Sequence, residues 1–206
     1  MHDQAPFNNR SGVRMSSSDL SLEERERLGK LFPIIVVEYD PRWVELYEEE
    51  AKFLREKFGP EVIVRMEHYG STAVPGLAAK PVIDILVEIT SFEIAERKIR
   101  PVLEPLGYGY NWYNGHMAFW KGYFPELPQK CHLHMAPAGH PIMDDLLFRD
   151  YLIKYPETAR EYEKLKYHLA ELHRNDREAY TDAKTDFIRE ITEKAKKEWP
   201  DRVPRP

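Results

Sequence analysis

Two short apolar runs frame a polar loop near the middle of the chain, and the other elements are ordered around them. The first run opens with the β-branched residues Val62, Ile63 and Val64. The second extends from Val82 to Ile89, and between them lie Gly70-Ser71-Thr72 and a loop holding Pro75, Gly76 and Pro81. Both prolines lack a backbone donor and Pro81 drives Lys80 out of the helical region, so the pattern predicts a strand, a glycine loop and a second strand. Upstream, SLEERERLGKLF predicts a short helix capped by Ser18 or Asp19, and Ile34 to Val37 a short strand. Asp40-Pro41 then starts a helix that runs to about Phe58 and stops at Gly59-Pro60. Downstream, Ser91 caps a helix through about Leu106 that ends at Gly107, and Asn114-Gly115 joins Tyr108 to Tyr113 and Met117 to Tyr123 as a hairpin. The loop Pro125 to Lys130 leads to a strand from Cys131 to Ala136. Helical segments follow near 142–154, 157–174 and 176–198 before WPDRVPRP frays.

These elements predict an α+β fold, a mixed β-sheet flanked by helices with a helical C-terminal region packed on it. Residues 1–20 read as a disordered tail, 21–198 as one domain with its core in 35–140 and its helical region in 141–198, and 199–206 as a second tail.

The second apolar run carries a charge. Side chains alternate across a strand, so Asp84 shares one face with Leu86 and Glu88 while Ile83, Ile85 and Val87 share the other. An ionised carboxylate in such a run meets a metal, a cation or solvent in a cleft, or pairs with a nearby Lys or Arg. His132 and His134 are two apart on the last strand and point to one face, where they either converge on a metal or hydrogen-bond on a half-exposed surface. If that strand neighbours the one bearing Asp84, one Asp and two His make a three-ligand site with open positions. Oxygen ligands favour Mg²⁺ or Mn²⁺, and the histidines extend the expectation to Zn²⁺ or another transition metal. His116 and His140 read as loop residues, and His68 as a cap on the glycine loop.

Several residues are candidates for holding an anion. Gly70 and Ser71 present backbone N–H groups and a hydroxyl, with Thr72 supporting the same turn, although a plain tight turn uses the same residues. Lys80 and Lys121 are available to neutralise charge. Tyr180 and Lys184, four apart, and Arg177, three before Tyr180, form one helical face that either binds an anion or packs on the core. Arg149 beside Asp150 reads as a structural ion pair, and Glu48 to Glu50 as a solvated helix face.

Composition narrows the field. At 206 residues with 42% hydrophobic side chains the chain is long enough for a real core. A net charge of −5 argues against a surface that coats extended nucleic acid. The lone Cys131 excludes an internal disulfide and suits a reducing compartment. No apolar run is long enough to span a bilayer and the N-terminus has no hydrophobic targeting core, so a cytoplasmic location is expected.

The central stretch resembles the nucleotidyltransferase superfamily typified by DNA polymerase beta, in which a strand ending in Gly-Ser precedes a strand bearing Asp-hydrophobic-Asp/Glu. More closely it is similar to the GrpB family, whose Gly-Ser-Thr-x-Val-Pro-Gly-Leu-x-x-Lys-Pro-x-x-Asp pattern lies here between Gly70 and Asp84. Tyr39-Asp40-Pro41-x-Trp43, Lys121-Gly122, His132-Leu133-His134, Phe148-Arg149-Asp150-Tyr151-Leu152 and Tyr180-Thr181-x-Ala183-Lys184-x-x-Phe187 fit the same family in order, over roughly 35–195. The resemblance implies a nucleotidyltransferase-like fold with Asp84 as the catalytic carboxylate and Gly70-Ser71 at the phosphates of a nucleotide. It implies in turn a small anionic substrate such as an NTP and transfer of a nucleotidyl or related group. The superfamily's second carboxylate is absent, since Leu86 stands two residues after Asp84. A different metal-assisted reaction in the same cleft, or a binding module without turnover, is therefore also open; GrpB-like domains occur fused to a coenzyme A biosynthetic kinase, which suits an accessory role.

Overall fold

The structure, a computed structural model, describes residues 21–122 and 131–202. The expected N-terminal tail, the loop Pro125 to Lys130 and the last four residues lie outside the described residues.

Five strands form one mixed sheet: β1 (Ile63–Tyr69), β2 (Ile83–Ile89), β3 (Gly109–Tyr113), β4 (His116–Lys121) and β5 (Cys131–Pro137), in the spatial order β1-β2-β5-β4-β3. β2 and β5 run parallel at the centre, and the other pairs are antiparallel. Parallel neighbours need a long crossover. Here it is made by α3 (Phe92–Lys98), α4 (Arg100–Leu103) and the β3–β4 hairpin. Asn114 and Gly115 both take positive φ, 48° and 80°, which is the turn that the Asn-Gly pair predicts.

Alternation along β2 separates two faces. Ile83, Ile85, Val87 and Ile89 join Leu133 and Met135 of β5 and Met117 and Phe119 of β4 in the main core, covered by α2 (Arg42–Lys57) and α3. α2 starts as expected, with Asp40 Oδ1 accepting from the Arg42 backbone N–H at 2.9 Å. The opposite face carries Asp84, Leu86, His132 and His134. It is covered by α5 (Asp145–Lys154), with α6 (Pro156–Leu172), α7 (Arg177–Asp182) and α8 (Thr185–Glu198) behind, through clusters centred on Leu86 with Leu146 and on Leu77 with Tyr162. Arg149 anchors α5 to β1: its guanidinium donates to Glu67 Oε2 (3.0 Å) and the His68 carbonyl (2.7 Å) and pairs with Asp150 (2.7 Å).

Four expectations change. Ile34 to Val37 contributes only an isolated bridge, Val37 to Ala79, because its one other backbone bond among the described residues, from Ile34 N–H, goes to the Arg174 carbonyl ahead of α7 and not to a strand. The helix expected through Leu106 breaks into α3, α4 and a 3₁₀ turn, Glu104–Leu106, as Pro101 and Pro105 each remove a donor. The single helix 176–198 is two, since Lys184 N–H bonds Thr181 O and tightens the chain between α7 and α8. Residues after Trp199 do not fray at once: Pro200–Arg202 forms a 3₁₀ turn and Arg202 pairs with Asp150.

Candidate functional site

The parallel register of β2 and β5 sets Asp84 beside His132 and Leu86 beside His134. Three ligand atoms, one each from Asp84, His132 and His134, lie within 4.8 Å of one another. His132 Nδ1 is 3.2 Å from Asp84 Oδ1. Burial pushes the Asp84 carboxyl up, but the hydrogen bond and charge of His132, with His134 and Lys80 behind, outweigh it and hold the group below the usual carboxylate range. Burial takes the His134 imidazole down to about 3, so the ring is neutral and has a lone pair to offer. Its Nδ1 shares a hydrogen bond with His116 Nε2 at 2.8 Å, which fixes the ring in the way that metal-bound histidines are fixed. One carboxylate and two imidazoles suit Mn²⁺, Fe²⁺ or Zn²⁺ better than Mg²⁺. Leu86, 2% exposed, packs with Tyr69 and Ala136, so at the position of the missing second carboxylate the neighbouring strand supplies an imidazole.

The glycine loop is shaped by the carboxylate. Gly70 closes β1 with φ 72° and ψ −172°, and a Cβ there would lie 2.6 Å from Asp84 Oδ2. Ser71–Ala73 form a 3₁₀ turn. The buried Thr72 hydroxyl donates to the Val82 carbonyl (3.2 Å) and meets His68 Nε2 (3.0 Å), so it holds the loop. The Ser71 hydroxyl reaches the Tyr162 phenol. We predict that Gly70→Ala costs about 1–3 kcal/mol of stability and also weakens metal retention, because the methyl can be seated only by moving Asp84. Urea denaturation and elemental analysis read the two effects separately, and an unchanged metal content would free Asp84 from this coupling.

A cluster of cations stands beside Asp84. Lys80 Nζ and Lys184 Nζ lie over the Tyr180 ring, 5.3 and 4.3 Å from its centroid, and neither forms a salt bridge among the described residues. Burial brings Lys80 down to about 8, helped by Arg177, and Lys184 down to about 7, helped by Lys80. Both also feel Asp84. Sequence reasoning missed a third, Lys166, which is 2% exposed, donates to the Ala78 carbonyl and is brought to about 7 by burial and by Lys184. Its only trace in the sequence is its place on the inward stripe Tyr162, Lys166, Leu169 of α6. Tyr180 itself is 1% exposed and packs with Ile34 and Leu169, so it contributes a ring face while its phenol stays in the core.

Lys121 does not belong to this group. It is the cross-strand partner of Cys131, which puts it on the face away from His132, and its ammonium donates to Glu50 and to Tyr108 Oη (3.1 Å). Glu50, expected on a solvated helix face, is 3% exposed and accepts from both. His116 is a buried strand residue instead of a loop residue. His140 does lie in a loop, capping the turn Pro141–Asp144.

Residues 33–194 match the family model described as GrpB protein. The chain belongs to the GrpB family. UPF0157 protein YqkA of Bacillus subtilis (strain 168) is 37% identical over 166 residues, which cover 79% of this chain and 47% of that protein. The chain thus spans about half the length of that relative. The crystal structure of conserved protein GrpB from Enterococcus faecalis superposes with a TM-score of 0.71 at 36% identity, covering 80% of this chain and 99% of the other. A weaker likeness, TM-score 0.46 and 14% identity over 72% of this chain and 47% of the other, is to the Cid1 poly(U) polymerase with MgGTP bound. The GrpB segments from Gly70 to Asp84, His132 to His134 and Tyr180 to Lys184 come from three parts of the chain, and the fold brings them to one face of its sheet. No helix among the described residues is long and apolar enough to cross a membrane.

Proposed function

We propose that this GrpB chain is a metal-assisted transferase whose cleft binds an NTP or a related phosphate-bearing small molecule. The observation that carries the reading is the adjacency of two unlike groups, the Asp84, His132 and His134 ligand set and the lysines Lys80 and Lys184, which form no salt bridge among the described residues and feel the charge of Asp84. Burying cations without anions is costly, so a site that does it is built for an anion that arrives. Lys80, Lys184 and Arg177 bind the phosphates and take the charge that grows on a leaving pyrophosphate, while the Gly70 and Ser71 backbone points N–H groups at the same oxygens. Lys166 holds the Ala78 carbonyl and raises the positive potential from behind. Asp84, His132 and His134 would hold the divalent ion, which when bound supplies Lewis-acid stabilisation at a phosphoryl oxygen. Leu86 in place of a second carboxylate favours one metal over two. It also supports a second reading, a nucleotide-binding module without turnover.

Thermal shift on metal-stripped protein tests this. Mn²⁺ and ATP together are expected to raise the melting temperature beyond the sum of their separate effects, since only ligands of the folded state stabilise it. The ATP-dependent part is expected to shrink as pH rises, because Lys184 and Lys80, charged below about 7 and about 8, lose their protons. Without ligand the sign reverses. The folded lysines have released protons that the unfolded chain keeps up to 10.5, so stability rises with pH between about 7 and 10.5. Absence of any metal-and-nucleotide shift would overturn the transferase reading, and a shift without turnover of labelled ATP would leave the binding module.

A further inference from the structure

A cavity whose walls hold neither Lys80 nor Lys184 opens against His134. Its volume is about 350 Å³, in the range of small-molecule sites, and its walls include Tyr69, Tyr113, His116, His134, His140 and Asp145. Among the described residues no Lys or Arg lines it, and Asp145 is the one carboxylate in its walls. Asp144 next door is already paired with Lys196 at 2.7 Å, whereas Asp145 has no Lys or Arg partner among the described residues. Five of the six named walls are rings. Tyrosine faces attract a cation.

We propose that this cavity binds a small molecule through a protonated amine, with Asp145 as its counter-ion and the tyrosine and histidine rings as its walls. Its placement against His134, away from the lysines, makes it the subsite for an amine-bearing acceptor. That role, though not the binding itself, rests on the transferase reading above. The two sides of the metal ligands then sort their ligands by charge, phosphate toward Lys80 and Lys184, amine toward Asp145. Supporting the assignment, burial and then the nearby Asp144 and Asp84 push the Asp145 carboxyl up to about 6, and a bound cation would offset the part due to its acidic neighbours. A surface cavity beside Phe92 and Trp112 differs in charge, because Arg100 lines it and pairs with its Glu96 (2.6 Å), which also accepts from the Tyr110 hydroxyl (2.7 Å).

Three probes of one shape separate the charge: benzylamine, benzyl alcohol and benzoate, titrated by NMR into chelator-treated protein at mildly alkaline pH with the histidine ring signals observed. Benzylamine is expected to bind about tenfold or more tighter than benzyl alcohol, with benzoate weakest and the His116 and His140 signals moving. Asp145→Asn is expected to bring benzylamine down to the benzyl alcohol value and leave the alcohol unchanged. Benzylamine no tighter than the alcohol in the wild-type chain, the same preference surviving in Asp145→Asn, or binding that leaves the histidine signals still would each overturn the proposal. Since the titration is metal-free, amine binding in a chain that never loads a metal would sink the transferase reading alone, and metal loading without amine preference would sink this one alone.

Discussion

Asp84→Asn is expected to leave the chain folded and to weaken divalent-metal binding by more than about 100-fold, beyond what loss of a residue that merely supports a ligand brings. Asparagine keeps the shape that fits against Gly70 and can still meet His132, so the sheet and its loop have no reason to move. What disappears is the negative charge. Without it the ion would face two imidazoles and the field of Lys80 and Lys184, which repels it. Calorimetry with Mn²⁺ and Zn²⁺ reads the affinity, and circular dichroism reads the fold. Equal affinity in the variant would remove Asp84 from the site and leave the carboxylate as the counter-ion of Lys80. Replacing His132 and His134 together by alanine should lower metal content in the same assay, by way of the imidazoles alone.

Asp84 was legible because a carboxylate in an otherwise apolar strand is costly unless something meets it, and His132 and His134 because a spacing of two puts both on one face. The three-ligand reading depended on their strands being neighbours, and the parallel β2–β5 register meets that condition. Gly70 was legible as a turn, but its closeness to Asp84 Oδ2 depends on the antiparallel pairing of Tyr69 with Asp84, which no local pattern reveals. His116 was lost for a related reason. It lies two residues before Ala118, the cross-strand partner of His134, and only the register of β4 on β5 turns a histidine beside a hairpin into one in contact with the site. Lys121 failed on parity, because a period of two tells which residues share a face without telling which face is the site. Asp145 and Lys166 come from helices whose docking on the sheet is tertiary information altogether. The sequence thus reads residues that share one strand face well and residues that meet across elements poorly.

The group that Lys121 does join underlies the second large effect. Truncation of Glu50 to leucine is expected to destabilise the chain by about 3–5 kcal/mol, the usual cost of leaving one partner of a buried pair without the other. Glu50 on α2 accepts from Tyr108, just before β3, and from Lys121 at the end of β4, so the helix and both ends of a hairpin distant from it in sequence meet at one carboxylate. Its removal leaves an ammonium stacked over the Tyr108 ring at 5.0 Å and a phenol whose acceptor is gone, next to the buried Cys131. Lys121→Met in the same chain removes the orphaned charge and is expected to restore most of the loss, so the coupling between the two sites in a denaturation cycle is large. A single-variant cost below about 1 kcal/mol would mean that water reaches Lys121, which is 24% exposed, and that the pair is a surface one. If the cost is large, metal affinity should nevertheless survive in the folded fraction. The Glu50 network lies on the face of the sheet opposite Asp84, and its strain has to pass through Leu133 and Ile85 before it reaches a ligand. Stability and metal binding would then be separable properties of the two faces, with Glu50 holding the frame and Asp84 holding the ion.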